Sequence, residues 1–200
     1  GPAPAPRPAA PALIAAAPAE DQPAAEIIVT ASKRDIPLLR YAGVVETLDN
    51  RAFTSGEAAS GTATLLARVA SLSSTHAGNG RNKLFIRAIA DSGVAGPTQA
   101  TTGQYLGDMR LNYAAPDPDL KLYDIGRVEV LEGPQGTLYG AGSLGGIIRI
   151  MPNAPNLGET GGQMSAGLSA VQHGDVGGDL AATLNLPIVA EKIALRIVGY

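Results

Sequence analysis

Residues 164–198 alternate between apolar and small or polar side chains, with the period of two that is typical of β-strands. A glycine-rich turn around His173 and a short turn at Glu191–Lys192 divide this stretch into three runs. The pattern predicts three antiparallel strands with one apolar face. Transmembrane β-barrels and soluble antiparallel meanders both alternate in this way, so the pattern alone leaves both open. The apolar positions are Met164, Ala166, Leu168 and Ala170, then Leu180, Ala182, Leu184 and Leu186, and finally Ile193, Leu195 and Ile197.

The preceding part of the chain mixes strand-like and helix-like patterns. Apolar residues recur at helical spacing from Thr62 to Leu72, which predicts one amphipathic helix, and Asp49 is placed to cap a short turn through Phe53. Together with β-prone runs, this predicts an α+β domain with a mixed, roughly four-stranded sheet and short helices. The strand-like runs in this part are residues 43–48, 84–89 and 104–108, and the long connections are Ser73–Lys83, Ala90–Gly103 and Arg110–Lys121.

The stretch Arg127–Met151 organises the rest of the chain, because two β-prone runs flank a dense set of glycines. Gly140, Gly142 and Gly145 match the dinucleotide-binding pattern G-x-G-x-x-G, but that site needs a helix directly after it, and Ile147 and Ile148 predict a strand. Ser143 lies in a loose variant of the hydrolase pattern G-x-S-x-G, which also needs a following helix and a histidine. A soluble hydrolase that uses Ser143 is therefore the enzymatic alternative, and an ordinary β-turn-β unit is the structural one.

Composition and charge exclude several function classes. The chain has 200 residues, a net charge of -3, two histidines and no cysteine. It therefore carries no basic surface typical of nucleic-acid binding, no disulfide framework and no thiolate metal site. We expect no cofactor, no metal site and no catalytic group. Residues 1–25 are rich in proline and alanine and predict a flexible linker, which leads into the β-prone run Glu26–Ala31.

The run V-E-V-L-E-G-P-Q-G-T-L-Y-G-A-G-S-L-G-G-I-I-R-I closely resembles the end of the plug domain of TonB-dependent outer-membrane receptors. The residues on the family pattern are Arg127, Glu129, Gly133, Pro134, Leu138, Tyr139, Gly140, Gly145 and Gly146. The upstream run E-I-I-V-T-A resembles the TonB box, the segment that TonB binds in this family. An extended segment on a flexible tether can add a strand to a partner's sheet edge, which fits that role. The implied TonB-binding residues are Glu26, Ile27, Ile28, Val29, Thr30 and Ala31.

The resemblance implies a receptor in the outer membrane of a Gram-negative bacterium that imports a scarce ligand, such as an iron chelate, with energy delivered through TonB. Its partners would be TonB, the small-molecule ligand and outer-membrane lipid, and no nucleic acid. The alternative to a transporter is a plug-like module that only binds a ligand and does not transport it. The implied organisation is a periplasmic linker at residues 1–25, the TonB box at 26–31, the plug domain at 32–155 and the start of a transmembrane β-barrel at 156–200. We expect the chain to be the N-terminal part of a longer receptor.

The resemblance also implies two sets of functional side chains, one that contacts the ligand and one that holds the plug in the barrel. The loops Ser73–Lys83, Ala90–Gly103 and Arg110–Asp119 would face outward, and Arg81, Gln99 and Tyr113 are the candidate ligand contacts. Arg87 and Arg127 would lie on separate strands and form a latch to acidic side chains of the barrel wall, with Glu129 as the nearest local partner. Two positions depart from the family pattern, since Ala88 replaces a glycine and Ala70-Ser71 replaces Pro-Gly.

Overall fold

A computed structural model describes residues 28–33, 36–78, 80–90, 98–114, 116–170 and 176–200. The strands are β1 (Ile28–Val29), β2 (Ile36–Pro37), β3 (Val44–Asp49), β4 (Leu72–Ser74), β5 (Leu84–Ile86), β6 (Thr102–Leu106), β7 (Met109–Arg110), β8 (Ile125–Glu132), β9 (Gly146–Pro152), β10 (Gly161–Ala170), β11 (Val176–Val189) and β12 (Ile193–Gly199). The helices are α1 (Ser55–Ser60), α2 (Thr62–Arg68) and α3 (Gly136–Tyr139), with 3₁₀ turns at Leu38–Arg40 and Asn50–Ala52.

A mixed five-stranded sheet forms the centre of the first domain, in the order β3-β8-β9-β6-β7. β8 pairs antiparallel with both β3 and β9, and β9 pairs parallel with β6. The predicted α+β domain with a mixed sheet is therefore confirmed. The sheet has one strand more than the sequence predicted because the two-residue β7 returns alongside β6.

The alternating side chains of β8 and β9 give the sheet two buried faces. On one face, Val128 and Val130 lie opposite Ile150 and Ile148, and Leu65 of α2 belongs to the same core. On the other face, Leu131 lies opposite Ile147, and this second core includes Tyr105, Tyr139 and the N-terminal residues Val29 and Ala31. A strand buried on both faces explains why β9 reads as a nearly continuous hydrophobic run, whereas the apolar residues of β8 alternate with Arg127 and Glu129.

The helical region starts as predicted but ends earlier. Asp49 caps the turn Asn50–Ala52 by accepting a hydrogen bond from the Arg51 amide, which confirms the expected cap. Thr54 and Glu57 form a reciprocal capping box at the start of α1, and the hydrogen bond from the Thr54 backbone is the main reason that the pKa of Glu57 is lowered to about 2. The predicted helix Thr62–Leu72 was too long, because α2 ends at Arg68 and Leu72 pairs with Ile86 in a separate two-stranded sheet.

The predicted strand at residues 84–89 was also too long. β5 ends at Ile86 because Arg87 and Ala88 both have positive φ angles, of 54° and 58°. Such angles turn the chain away from an extended path and are uncommon outside glycine. Arg87 therefore lies in a turn, and the expectation that it sits on a strand was wrong.

Strands β10, β11 and β12 form an antiparallel three-stranded sheet, as the alternating pattern predicted. Its apolar side chains face outward and are exposed, including Met164 at 74% and Leu168 at 90%. Ala181 and Asn185 on the opposite face are buried. The expected turn at His173 lies outside the described residues. In the described ranges, no helix combines the length and the hydropathy needed to cross a membrane.

Candidate functional site

The segment Ile28–Ala31, which the sequence predicted as part of the TonB box, lies docked against the central sheet. We call it the docked segment. Its residues Ile28 and Val29 pair antiparallel with Pro37 and Ile36. Val29 and Ala31 are both 0% exposed, whereas Ile28 is 41% exposed. Glu26 and Ile27, the first two residues of the predicted box, lie outside the described residues.

Thr30 is held by three charged side chains of the sheet. Its amide donates to Glu129 Oε1 over 3.2 Å, and its hydroxyl donates to the same oxygen over 3.1 Å. The Thr30 hydroxyl oxygen also accepts hydrogen bonds of 2.9 Å from Arg127 Nη2 and from Arg149 Nη1. Because all of these partners carry formal charges, the hydrogen bonds belong to the strong class.

Glu129 is the centre of this cluster and is 0% exposed. Arg127 Nε donates to Glu129 Oε1 over 2.7 Å, and Arg149 Nη1 lies 3.9 Å from Glu129 Oε2. These contacts follow from the sheet register, which places Glu129 directly opposite Arg149 on the face that the docked segment covers. A buried carboxylate requires such compensation, because an unpaired charge in a protein interior costs several kcal/mol.

Arg149 was missed by the sequence analysis. Its side chain is 6% exposed and also donates to the Gly107 carbonyl and to Asp108 Oδ1, over 2.8 and 2.9 Å. A signal was present, since Arg149 is the single charged residue within the apolar run G-I-I-R-I-M. A charge that occupies an interior position of a buried strand must have a partner.

Tyr139 and Lys33 fasten the end of the docked segment. The Tyr139 hydroxyl donates to the Ala31 carbonyl, and burial raises the pKa of Tyr139 to about 12, so the donor keeps its proton at neutral pH. Lys33 Nζ donates to Asp108 Oδ1 over 2.9 Å. This hydrogen bond, together with Arg149, lowers the pKa of Asp108 below its ordinary value.

The glycine-rich loop after β8 has neither of the enzymatic geometries that its motifs resemble. α3 precedes Gly140, Gly142 and Gly145, and β9 begins at Gly146, where a dinucleotide site or a nucleophile elbow needs a helix. Ser143 is 2% exposed and its hydroxyl has no hydrogen-bond partner among the described residues. The described part of the chain also contains no group of three or more acidic or histidine side chains that could hold a metal ion.

The structure separates the two arginines predicted to form a latch. Arg127 contacts Glu129, the local partner named from the sequence, and its side chain is 33% exposed. Arg87 is 60% exposed and its Nε lies 3.7 Å from Glu132 Oε2. The two arginines therefore have different local partners in this chain.

A different ion pair connects the central domain with the three-stranded sheet. Arg196 of β12 donates to both carboxylate oxygens of Asp124, from Nε over 2.6 Å and from Nη2 over 2.5 Å. Tyr123 donates to Asp179 of β11 over 2.9 Å. Burial alone would raise the pKa of Asp124, but hydrogen bonds from Arg196 and Asn153 outweigh it and hold the pKa below its ordinary value. No sequence signal identified this pair, since its members lie 72 positions apart.

The candidate ligand residues lie on exposed loops, and two of them are neighbours. Gln99 forms an isolated bridge with Ala114, and the adjacent Ala100 amide donates to the Tyr113 carbonyl. Tyr113 is 69% exposed, and the guanidinium of Arg110 lies 4.7 Å from its ring centre. Arg81 lies on the neighbouring loop and is also exposed.

Buried Asp117 ties these loops together. It accepts hydrogen bonds from the Leu84 amide over 2.6 Å and from Asn112 Nδ2 over 2.7 Å, while its own amide donates to the Asn82 carbonyl. Burial raises the pKa of Asp117, and the hydrogen bonds from Asn112 and Leu84 oppose that effect. Asp117 therefore connects Asn82 and Leu84 with Asn112 of the neighbouring loop.

Comparison with known proteins identifies the family to which residues 37–147 belong. A family model described as the TonB-dependent receptor plug domain matches residues 37–147. Among solved structures, the siderophore receptor PiuA from Acinetobacter baumannii is 20% identical with a TM-score of 0.59, and the match covers 86% of this chain and 22% of PiuA. The ferric preacinetobactin receptor BauA from the same species is 20% identical, with a TM-score of 0.58 and coverage of 82% and 23%.

A third similar structure, the copper transporter OprC, is 20% identical with a TM-score of 0.51, and the match covers 70% of this chain and 21% of OprC. The chain thus spans about a fifth of the length of each of these proteins. At this level of identity the three structures share a fold with the chain.

Proposed function

Because this chain belongs to the TonB-dependent receptor plug family, we propose that it is part of an outer-membrane receptor that imports a scarce ligand with energy delivered through TonB. In this proposal, residues 1–25 are a periplasmic linker and residues 26–31 are the TonB box. Residues 32–155 are the plug, and residues 156–200 begin the barrel wall. The outward apolar face of β10, β11 and β12 supports contact with membrane lipid, because barrel strands alternate between a lipid face and an interior face.

The docked segment is the observation that carries this proposal. This short extended segment is held on the plug by hydrogen bonds from Thr30 to Glu129, Arg127 and Arg149. These hydrogen bonds would break when the segment leaves the sheet. TonB would pair with this segment by strand addition on the periplasmic side and pull it away from the sheet. The plug would then rearrange and open a path through the barrel.

We propose an iron chelate as the ligand class, since BauA is a ferric preacinetobactin receptor and PiuA is a siderophore receptor. The exposed positions of Arg81, Gln99 and Tyr113 support a ligand site here, because the Tyr113 ring, with the Arg110 guanidinium 4.7 Å from its centre, offers a surface for stacking. OprC is a copper transporter, so binding of copper should be measured beside binding of iron chelates.

The first prediction tests TonB pairing. Ile28→Pro is expected to abolish energised uptake, because proline removes a backbone donor that strand addition needs. Ile28 is 41% exposed, whereas Val29 and Ala31 are fully buried, so its side chain is the least important of the three for packing against the sheet. Uptake of a labelled iron chelate by cells and ligand affinity of the purified receptor are the two measurements. We expect the ligand affinity to be unchanged.

Ile28→Val serves as the matched control and should transport normally, because it keeps the donor and the β-branched shape. Normal uptake by the Ile28→Pro receptor would overturn the assignment of the TonB box.

The second prediction concerns ligand contact. Alanine at Arg81, Gln99 or Tyr113 is expected to weaken ligand binding, with the largest loss at Tyr113, on the order of tenfold, since exposed aromatic side chains dominate many binding sites. Titration of the purified receptor with a panel of iron chelates and with copper measures the affinities. Arg40→Ala is the control, because Arg40 is exposed and lies in the 3₁₀ turn that follows β2. Unchanged affinity for all three variants would reject the placement of the ligand face.

The third prediction concerns the latch. We propose that in the receptor Arg87 and Arg127 also contact acidic side chains of the barrel wall. The double variant Arg87→Ala, Arg127→Ala should then loosen the plug and raise passive leakage of small solutes.

The Asp124–Arg196 ion pair, which the structure shows directly, is the reference for comparison, and Asp124→Asn should raise leakage as well. Conductance of the receptor in lipid bilayers measures both. If only Asp124→Asn leaks, the latch at Arg87 and Arg127 is wrong and the observed pair holds the plug.

A further inference from the structure

We propose that Gln104 is a positioning residue for ligand binding, whose unpaired side-chain amide donates to Asp117 when the candidate ligand loops close on a ligand. The place of the ligand rests on the proposed function, whereas the unpaired amide does not. Gln104 lies on β6 and is 2% exposed. Its Nε2 has no hydrogen-bond partner among the described residues. A buried donor in this condition costs free energy comparable to a lost hydrogen bond.

Gln104 and Asp117 belong to one hydrogen-bonded network that is centred on Asn112. The backbone amide of Gln104 donates to Asn112 Oδ1 over 2.8 Å, and Asn112 Nδ2 donates to Asp117 Oδ1 over 2.7 Å. Asn112 Nδ2 also donates to the Thr102 carbonyl, two residues before Gln104 on β6. Asn112 and Asp117 are 2% and 5% exposed. The network therefore fixes the position of the carboxylate relative to the strand that carries Gln104.

The side-chain amide of Gln104 approaches the Asp117 carboxylate without completing a hydrogen bond. Burial raises the pKa of Asp117. The hydrogen bonds from Asn112 and the Leu84 amide oppose that effect most, followed by the approach of Gln104 and the positive charge of Lys83. Lys83 is the charged group among these neighbours, and the others are neutral. A carboxylate offers about four lone-pair positions, so it can accept from Gln104 beside its two present donors.

The candidate ligand residues are attached to this network. Tyr113 follows Asn112 directly in the chain, and the loop of Arg81 is bonded to the Asp117 amide through the Asn82 carbonyl. A ligand that contacts Tyr113 and Arg81 together therefore joins the two loops that meet at Asp117. As in enzyme active sites, a hydrogen bond that is incomplete without the ligand can tighten in the complex. The free energy regained by pairing the buried donor then adds to ligand affinity.

The first measurement is the stability of the detergent-solubilised full receptor without ligand, from the urea dependence of protease cleavage. Gln104→Met removes the amide and keeps an unbranched side chain of similar length. Because the substitution deletes an unpaired buried donor, we expect the resistance to urea to stay equal or to rise. A clear loss of resistance would show that the donor is already paired and would overturn the proposal.

The second measurement is the affinity of the same receptors for the panel of iron chelates and for copper. We expect Gln104→Met to weaken binding about tenfold, since a hydrogen bond to a charged group is worth about that factor. A structural role would lower stability and affinity together. Unchanged affinity in Gln104→Met, with binding weakened in Tyr113→Ala, would overturn the role of Gln104. If the parent receptor binds none of these probes, the proposed ligand class is wrong, and the urea measurement decides whether the donor is unpaired.

Thr102→Val is the matched control for both measurements. Thr102 lies on the same face of β6 as Gln104, is 0% exposed, and its hydroxyl also has no partner among the described residues. That hydroxyl does not act on Asp117. We therefore expect Thr102→Val to keep the resistance to urea and the ligand affinity of the parent receptor. An equal loss of affinity in both variants would show that ligand binding responds to any substitution on this face and would overturn the proposal.

The pH dependence of ligand affinity is a readout that packing alone would not change. A hydrogen bond to a carboxylate lowers its pKa, so Asp117 binds its proton more weakly in the complex than in the receptor without ligand. The affinity should therefore fall as the pH drops through the pKa of Asp117, which burial raises above its ordinary value. This fall should be absent in Gln104→Met. Both receptors are titrated with the same chelate, so protonation of the chelate affects them equally. Parallel pH profiles would overturn the hydrogen bond from Gln104.

Discussion

Replacing Gly146 with alanine is expected to unfold or severely loosen the plug. Gly146 begins β9 with a φ of +141°, and a Cβ there would lie 2.1 Å from the backbone oxygen of Leu131 and 2.8 Å from Ile86 Cδ1. The oxygen belongs to the paired strand β8, so relief of the clash would require the β8–β9 pairing to open. The strained backbone and the overpacking together should cost roughly 3–5 kcal/mol.

The adjacent Gly145 provides the matched control. Its φ lies outside the left-handed region, and an added Cβ would meet Ile86 and Ile89 at 3.4 Å, which is ordinary contact. Gly145→Ala should therefore cost less than about 1 kcal/mol. The urea dependence of protease cleavage within residues 36–152 of the detergent-solubilised receptor measures both variants. Equal stability of the two variants would contradict the predicted clash at Gly146.

Glu129→Gln is expected to lower the stability of the plug by about 2–3 kcal/mol, because it leaves buried Arg149 and partly exposed Arg127 without their central anion. The figure lies below the usual cost of breaking a buried pair, since Arg127 is 33% exposed and Arg149 keeps Asp108 as a partner. The neutral side chain keeps the size of glutamate, so packing is unchanged. The same urea-dependent proteolysis of the full receptor measures the loss.

The same substitution at Glu132, three residues along β8, separates this effect from a general effect of losing a carboxylate. Glu132 contacts only the exposed Arg87, at 3.7 Å, among the ion pairs of the described residues. Repulsion between Glu132 and Glu46 also contributes, after burial, to the raised pKa of Glu46. Glu132→Gln should therefore change stability by less than about 0.5 kcal/mol. If Glu132→Gln lowered the stability as much as Glu129→Gln does, the buried cluster around Glu129 would contribute no more to stability than another carboxylate of the same strand.

Local patterns were sufficient for the elements that depend on neighbouring residues. The alternation in residues 164–198 predicted strands β10 to β12, and the β-branched runs around the glycine loop predicted β8 and β9. Asp49 was recognised as a cap because capping joins residues two or three positions apart. For residues 164–198, periodicity alone had left a barrel and a meander open, and the family resemblance of Arg127–Met151 favoured the barrel.

Local patterns failed where a distant contact decided the outcome. The apolar residues after Thr62 continued to Leu72 at helical spacing, but Leu72 gains a strand partner in Ile86, so the helix stops at Arg68. The run after Leu84 suggested a longer strand, but Arg87 and Ala88 take positive φ angles that neither residue type favours, and the Arg87 amide donates to the distant Ser71 carbonyl.

The sequence by itself determined strands β8 and β9, the alternation of strands β10 to β12 and the position of the segment that we propose TonB binds. Only the tertiary structure decided what holds that segment. Thr30 meets Glu129 and Arg149 across separations of 99 and 119 positions, and Asp124 meets Arg196 across 72. The physical reason is that periodicity and turn chemistry act over a few residues. A buried charge is instead paired with a residue that the folded sheet brings within hydrogen-bonding distance, and that residue can lie far away in the sequence.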